Sequence, residues 1–185
     1  RLDTDTPAHF DDFESLYAAY RADLTAVVDN LVAGTMHAWA PGWGGEGEVW
    51  RPHSPCTAIS LFVHGCMENA RSYSDGGTPY TVSSPHIGGA PDAGNSLAAI
   101  DRLVWQEGVV TFDELMHILQ TDWEGQEELR RYVRNRMTWY GNDHDGADTY
   151  TVRILNDFAD ACDPYRHGRP VTFVPGVSTF GRQIE

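Results

Sequence analysis

The chain has 185 residues, 41% hydrophobic and 22% charged, an ordinary composition for a globular protein, with no apolar run near the roughly 20 residues of a membrane span. Its 13 basic residues, every one an arginine, face 27 acidic ones, and the net charge of −14 repels nucleic acid and anionic membrane surfaces. Three widely spaced cysteines (Cys56, Cys66, Cys162) fit neither a disulfide framework nor a zinc module, so a reducing cytoplasm is expected, and one domain is the default at this length.

From Phe10 to about Val32, Phe13, Leu16, Tyr17, Tyr20, Leu24, Val27, Val28 and Leu31 recur every three or four positions. That spacing predicts an amphipathic helix, with Asp11 or Asp12 available as its N-cap. Between Gly34 and Pro55 the periodicity is lost, and Trp39, Trp43 and Trp50 sit in a glycine- and proline-rich loop whose rings need something to pack against. Thr57 to Asn69 predicts a second helix, apolar nearly all round, of a kind that suits the inside of a large protein.

Ser74-Asp75-Gly76-Gly77 carries turn chemistry, and Tyr80-Thr81-Val82 has strand propensity. Next comes Ser83-Ser84-Pro85-His86-Ile87-Gly88-Gly89, read as a polar loop composed to approach a ligand. Pro91 fits the first turn of a helix whose buried face is Leu97, Ile100, Leu103 and Val104 and which ends near Gly108. Thr111 followed by Glu114 predicts a capping box opening a helix through Leu119. Further helices are expected from about Gln126 to Met137 and from Ala147 to Ala161, and a short strand from Val171 to Val174, cut by Pro175-Gly176. Two short strands about ninety residues apart suggest that strand partners come from elsewhere.

The candidate chemistry is thin. Cys66, with His64 two residues before it and Glu68 two after, is a minimal nucleophile signature. On one helix, positions two apart point about 200° away from each other, and a buried cysteine on an apolar helix is usually inert. The cluster Asn142, Asp143, His144, Asp145 and Asp148 could hold a hard cation, but it lacks the spacing of a calcium loop, and Asp143 or Asp145 serves equally as an N-cap. The eight histidines include no zinc-like pair one helical turn apart, so no metal site is expected. His86, flanked by serines and glycines, is the histidine placed where a pocket would form; a solvated loop histidine is the plain alternative.

Five blocks in order resemble the pyruvate formate-lyase-like domain of the glycyl radical enzymes. FDDFESLYAAY (Phe10 to Tyr20) resembles the family's F-x-x-[FY]-E-E-L-x-x-A-[FY] helix, and CMENARSYSDGGTPYT (Cys66 to Thr81) resembles CIEKGKDLTEGGARYN. NSLAAIDRLVW (Asn95 to Trp105) is similar to DSLAAIKKLVF, TFDELMHILQTDWEGQEELR (Thr111 to Arg130) to the T-x-x-E-L-L stretch ending in E-G-x-E-x-L-R, and WYGNDHDGAD (Trp139 to Asp148) to KYGNDDDYVD. The likeness is clearest over residues 10–158. Departures are Thr78-Pro79 for Ala-Arg, Gly146 for the usual Tyr, and the tryptophan-rich loop.

The resemblance implies a helix-rich α/β fold, residues 1–185 forming part of one such domain and a segment of a ten-stranded α/β barrel. In that family a radical-SAM activating enzyme, using S-adenosylmethionine and an iron–sulfur cluster, generates a glycyl radical. A thiyl radical on a loop cysteine then abstracts hydrogen from a small-molecule substrate, and a C–C or C–heteroatom bond is made or broken. His64-Gly65-Cys66-Met67-Glu68 imitates the family's Gly-Cys-x-Glu, but it falls where the family has the cysteine that does not carry the radical. The chain starts at Arg1 without Met, the resemblance places the radical cysteine upstream of Arg1, and no Arg-x-x-Gly-Tyr occurs before Glu185, so it is expected to be an internal segment lacking both radical loops, inactive by itself and binding no cofactor of its own.

Thr81, Ser83, Ser84 and His86 are the expected substrate-binding or proton-relay residues, while Cys66 and Glu68 are weak catalytic candidates. The resemblance also admits a homodimer. Competing readings are a non-catalytic structural or binding protein, such as a split partner of a radical enzyme, and a Cys66-dependent hydrolase.

Overall fold

The computed structural model describes residues 10–38, 56–73, 76–80, 82–167 and 171–178. By contact density the chain divides into two compact units, one of residues 1–24, 88–158 and 178–185, the other of residues 25–87 and 159–177.

Helix α1 spans Phe13–Ala38 and is opened by Asp12, whose Oδ1 accepts the Ser15 N–H at 2.7 Å while the Asp12 N–H donates to Ser15 Oγ at 3.3 Å. It runs past Val32, with Gly34 in helical backbone and nothing within 4 Å of the Cβ it lacks. Its buried stripe is Phe13, Tyr17, Val28 and Val32; Val27 and Leu31, expected on that stripe, are exposed. The tryptophan-rich loop at residues 39–55, with Trp39, Trp43 and Trp50, and the Ser74-Asp75 turn residues lie outside the described residues.

The predicted helix from Thr57 to Asn69 does not form as such. Helix α2 is a single turn, Thr57–Ser60, followed by successive turns to Ala70. The reason is Gly65, which adopts φ +92°, where a side chain would lie 2.8 Å from the Gly77 carbonyl oxygen and 2.9 Å from Pro79 Cδ. Close approach to the diglycine turn therefore outcompetes helix continuation. Asn69 Nδ2 donates to the same Gly77 carbonyl at 2.9 Å, and Ser60 Oγ accepts the Tyr73 N–H at 2.9 Å while donating to the Cys56 carbonyl at 2.8 Å. Such local side-chain bonds satisfy backbone groups that a helix would otherwise have paired.

In the helical unit, α3 (Ala90–Asp101) has Pro91 in its first turn and continues as a π-helical turn, Arg102–Gln106. The Glu107 N–H reaches back five residues to the Arg102 carbonyl at 2.8 Å. Helix α4 (Phe112–Gln120) has the predicted capping box: Thr111 Oγ1 accepts the Glu114 N–H at 3.2 Å, and Glu114 Oε2 accepts the Thr111 N–H at 2.8 Å. Helix α5 (Glu127–Arg136) buries no residue fully and is tied to the end of α3 by Tyr132, whose hydroxyl donates to Glu107 at 2.6 Å, and by Arg102, which donates to Glu107 at 2.6 Å and to the Arg136 carbonyl at 3.1 Å.

Helix α6 (Asp145–Cys162) buries Ala147, Thr151, Ile154, Phe158 and Cys162, a stripe at three- and four-residue spacing. Its N-cap is His144, whose Nδ1 accepts the Ala147 N–H at 3.3 Å. The aspartates expected there serve otherwise. Asp143 takes φ +55°, and Asp148 Oδ1 accepts the Gly141 N–H at 3.1 Å.

The unit's core is aromatic. Phe13 packs edge-on against Tyr150 at 5.5 Å and Trp105 at 6.1 Å, and Trp105 stacks on Phe112 at 6.0 Å. Around Tyr17, the hydroxyl donates to Asp157 at 2.6 Å, the Arg153 guanidinium lies 3.6 Å over the ring, and Arg153 makes a two-pronged contact with Glu14 at 2.6 and 2.8 Å. Burial and the Asp157 bond push the Tyr17 hydroxyl well above the usual phenol range.

Strands β1 (Val82–Ser83) and β3 (Thr172–Phe173) pair in parallel, Val82 opposite Thr172 and Ser83 opposite Phe173; β2 (His86–Gly88) pairs with β4 (Gly176–Ser178). The expectation that partners come from elsewhere is thus corrected among the described residues, because the two segments pair with each other. The His86-Ile87-Gly88 stretch, read as loop, is a strand.

Candidate functional site

The two strand segments form parallel tracks, each interrupted at a proline two residues after its first strand. Proline has no N–H, so Pro85 cannot give the ladder bond its register would place on the Val174 carbonyl, which takes the Ser84 hydroxyl instead. On the other track the donors are Val174 and Gly176, and Pro175 removes none. The Val174 N–H donates to the Ser83 carbonyl at 3.2 Å and the Gly176 N–H to the Pro85 carbonyl at 2.8 Å, which carries one register across both interruptions, with Pro85 level with Pro175. Below the tracks, Val171 and Phe173 are almost fully buried, and Tyr165 packs on Phe173 at 6.3 Å while its hydroxyl donates to Asp29 at 2.8 Å. This apolar floor fixes the backbone that carries the polar side chains.

Ser84 and His86 are brought together over Gly176. A Cβ placed on Gly176 would lie 2.5 Å from His86 Nε2 and 2.7 Å from Ser84 Oγ, and would also strike His86 Cδ2. Both side chains belong to exposed residues, so the imidazole has one side on the second track and another open. The Ser84 hydroxyl donates to the Val174 carbonyl at 2.8 Å. Its hydrogen is committed, and its oxygen lone pairs remain for a donor. Ser83 is half-buried within β1, and Thr81 lies outside the described residues. Sequence reasoning missed Gly176, since Pro175-Gly176 reads as the end of a strand; its only signal is a glycine beside a short β-prone run.

Cys66 and Glu68 are placed differently. Cys66 is buried, whereas Glu68 is exposed, accepts the Gly65 N–H through Oε2 at 3.0 Å and stands 3.8 Å from His64 Nδ1 through Oε1. Cys162 is fully buried at the end of α6, and burial pushes its thiol up from the ordinary value. Among the described residues no three His, Cys, Asp or Glu side chains gather as a metal-binding group, and no helix is long and apolar enough to cross a membrane.

The comparisons with known proteins are consistent with one another. The family model described as "Pyruvate formate lyase-like" matches residues 1–185. Trans-4-hydroxy-L-proline dehydratase of Clostridioides difficile is 27% identical over 157 residues, which cover 85% of this chain and 19% of that protein. Probable dehydratase YbiW of Escherichia coli is 35% identical over 133 residues, 68% of this chain and 16% of the relative.

Among solved structures, hydroxyproline dehydratase from Clostridioides difficile with its substrate bound superposes with a TM-score of 0.71 at 26% identity, covering 91% of this chain and 20% of that one. The glycerol-bound B12-independent glycerol dehydratase from Clostridium butyricum shares the fold, with a TM-score of 0.72 at 23% identity over 90% of this chain and 20% of that one. The chain therefore spans about a fifth of the length of the relatives it matches. Its helix-rich architecture with few strands is that of a segment of their α/β barrel. These matches place the chain in the pyruvate formate lyase-like family of glycyl radical enzymes.

Proposed function

We propose that this chain is a segment of a glycyl radical enzyme of the dehydratase or lyase type, acting on a small hydroxylated molecule, and that Ser84 and His86 contact that substrate. The radical, formed on a glycine by a radical-SAM activating enzyme and passed to a cysteine, would supply hydrogen abstraction; this chain's residues would bind and move protons. In this reading Cys66 is a packing residue and the radical loops lie outside residues 1–185, so the isolated chain is inactive and holds no cofactor.

The observation that supports the reading best is the meeting of Ser84 Oγ and His86 Nε2 over Gly176 at a proline-interrupted point of paired strands. A serine oxygen free to accept, beside an imidazole nitrogen, suits a substrate hydroxyl: one group accepts its hydrogen, and the other relays a proton as the C–O bond breaks. The names of two relatives, trans-4-hydroxy-L-proline dehydratase and (2S)-3-sulfopropanediol dehydratase, favour a dehydration over other bond cleavages.

The test is an enzyme carrying this segment, activated anaerobically and offered a panel of small hydroxylated compounds. His86→Ala is expected to lower turnover by about a hundredfold, the size of a general acid–base contribution, while glycyl radical yield measured by electron paramagnetic resonance stays unchanged. Normal turnover in His86→Ala would remove His86 from the site.

A further inference from the structure

We propose that Gly176 is a positioning residue for this site: its missing side chain is what allows the His86 imidazole and the Ser84 hydroxyl to stand together on the second strand track. The inference rests on the reading that Ser84 and His86 meet substrate. Gly176 lies within β4, and its N–H is held by the Pro85 carbonyl at 2.8 Å. Its φ lies outside the left-handed region, so left-handed backbone is not the reason for glycine here. The reason is space. A Cβ at that point would be 2.5 Å from His86 Nε2 and 2.7 Å from Ser84 Oγ, inside the distances that real Cβ atoms keep.

Of the groups involved, the backbone is the least able to give way. The Gly176 N–H and the Val174 N–H are both bonded to the facing track, and Ser84 is tied to the Val174 carbonyl. Among the described residues the His86 side chain makes no such bond and is exposed, so a methyl group at position 176 is relieved by turning the imidazole into another staggered rotamer and drawing the Ser84 hydroxyl, 2.7 Å from that methyl, off its place. That turn carries Nε2 away from Ser84 and breaks the pair, while the strand pairing survives. The adjacent Gly88 shows the contrast: a Cβ there would meet only Ser178 Cβ, at 4.0 Å, which is ordinary contact.

The experiment is a double-mutant cycle of Gly176→Ala and His86→Ala with two readouts. The first is the rate at which diethyl pyrocarbonate carbethoxylates His86, followed by mass spectrometry on the full chain. The second is kcat and KM of the activated enzyme carrying this segment, with trans-4-hydroxy-L-proline and (2S)-3-sulfopropanediol as probes and radical yield as the control for folding. If Gly176 positions the histidine, Gly176→Ala raises the carbethoxylation rate severalfold and lowers kcat about as far as His86→Ala does, and the double variant is no worse than His86→Ala alone.

An unchanged carbethoxylation rate in Gly176→Ala, or losses that add in the double variant, would overturn the positioning role. If His86→Ala turns over normally, the substrate-contact reading is what fails, and the carbethoxylation rate still decides whether Gly176 sets the imidazole.

Discussion

Gly94 in α3 lies against the backbone of Thr151 in α6, so closely that a Cβ on Gly94 would sit 2.9 Å from the Thr151 nitrogen and 3.0 Å from its Cα, and would collide with its hydroxyl oxygen. Two helices can approach this far only if one of them presents a glycine. In an exposed helix interior, Gly→Ala gains up to about 1 kcal/mol. Here the contact is with backbone that cannot turn aside, and overpacking of a closed site costs about 1–3 kcal/mol. Gly94→Ala is therefore expected to lower the unfolding free energy, with a fall in Tm of a few degrees. Gly34→Ala is the matched control, because Gly34 is helical and has nothing within 4 Å; it should leave Tm unchanged or raise it. Thermal or urea unfolding of both variants checks the pair, and equal shifts of one sign would refute the packing argument.

Tyr150 donates to Asp101 Oδ2 at 2.6 Å, and the same oxygen accepts from Gln106 at 2.7 Å, an arrangement made by the π-helical turn that carries Gln106 back toward Asp101. Burial, and then the bond to Asp101, push the Tyr150 hydroxyl up to about 12. Because the folded value is raised above the ordinary 10.0, the stability it contributes is present below pH 10 and is lost as pH rises through about 12. Ultraviolet titration of tyrosinate should show several late-ionising groups, Tyr17 among them, and one fewer in Tyr150→Phe. A titration curve identical in that variant would contradict the assignment.

The capping box at α4 gives a prediction of opposite sign. Hydrogen bonds from the Thr111 backbone and hydroxyl hold the Glu114 carboxyl below its ordinary value of 4.5. Its stabilising contribution is present above that value and lost as pH falls through the lower folded one. Thr111→Ala should cost about 1 kcal/mol at neutral pH and reduce amide-exchange protection over the first turn of α4. The variant should also be less sensitive than the parent chain to acidification below about pH 4.5. A sensitivity equal to the parent's would separate Glu114 from the cap.

What could be read from residues alone followed the range of the interactions. The Asp12 cap, the Thr111 and Glu114 box and Pro91 in its first turn are all set by neighbours within four positions, and they formed as expected. The pairing of Val82 with Thr172 depends on hydrogen bonds between segments about ninety residues apart, and no local pattern encodes it. Thr57 to Asn69 misled because an apolar run resembles a buried helix until Gly65 is seen to need left-handed backbone against Gly77 and Pro79. At the candidate site, Ser84 and His86 stood out as polar groups among glycines, whereas Gly176 gained meaning only when the second track placed it beneath them.

Ile59, Leu61 and Phe62 are 54%, 57% and 89% exposed, and they follow one another around the single turn of α2 and the turn after it. Three large apolar side chains in so short a stretch exceed the scattered exposure of ordinary surfaces. In the 185-residue chain they should drive concentration-dependent self-association, with Phe62, the most exposed, contributing most. Phe62 makes few contacts to lose, and surface substitutions away from packed features usually change stability by about 0.5 kcal/mol or less. Phe62→Ser is thus expected to shift sedimentation velocity profiles toward monomer and to reduce binding of an apolar dye while leaving Tm within a degree or two of the parent. Undiminished association would show that another surface is responsible, and a large drop in Tm would show that Phe62 is packed rather than presented.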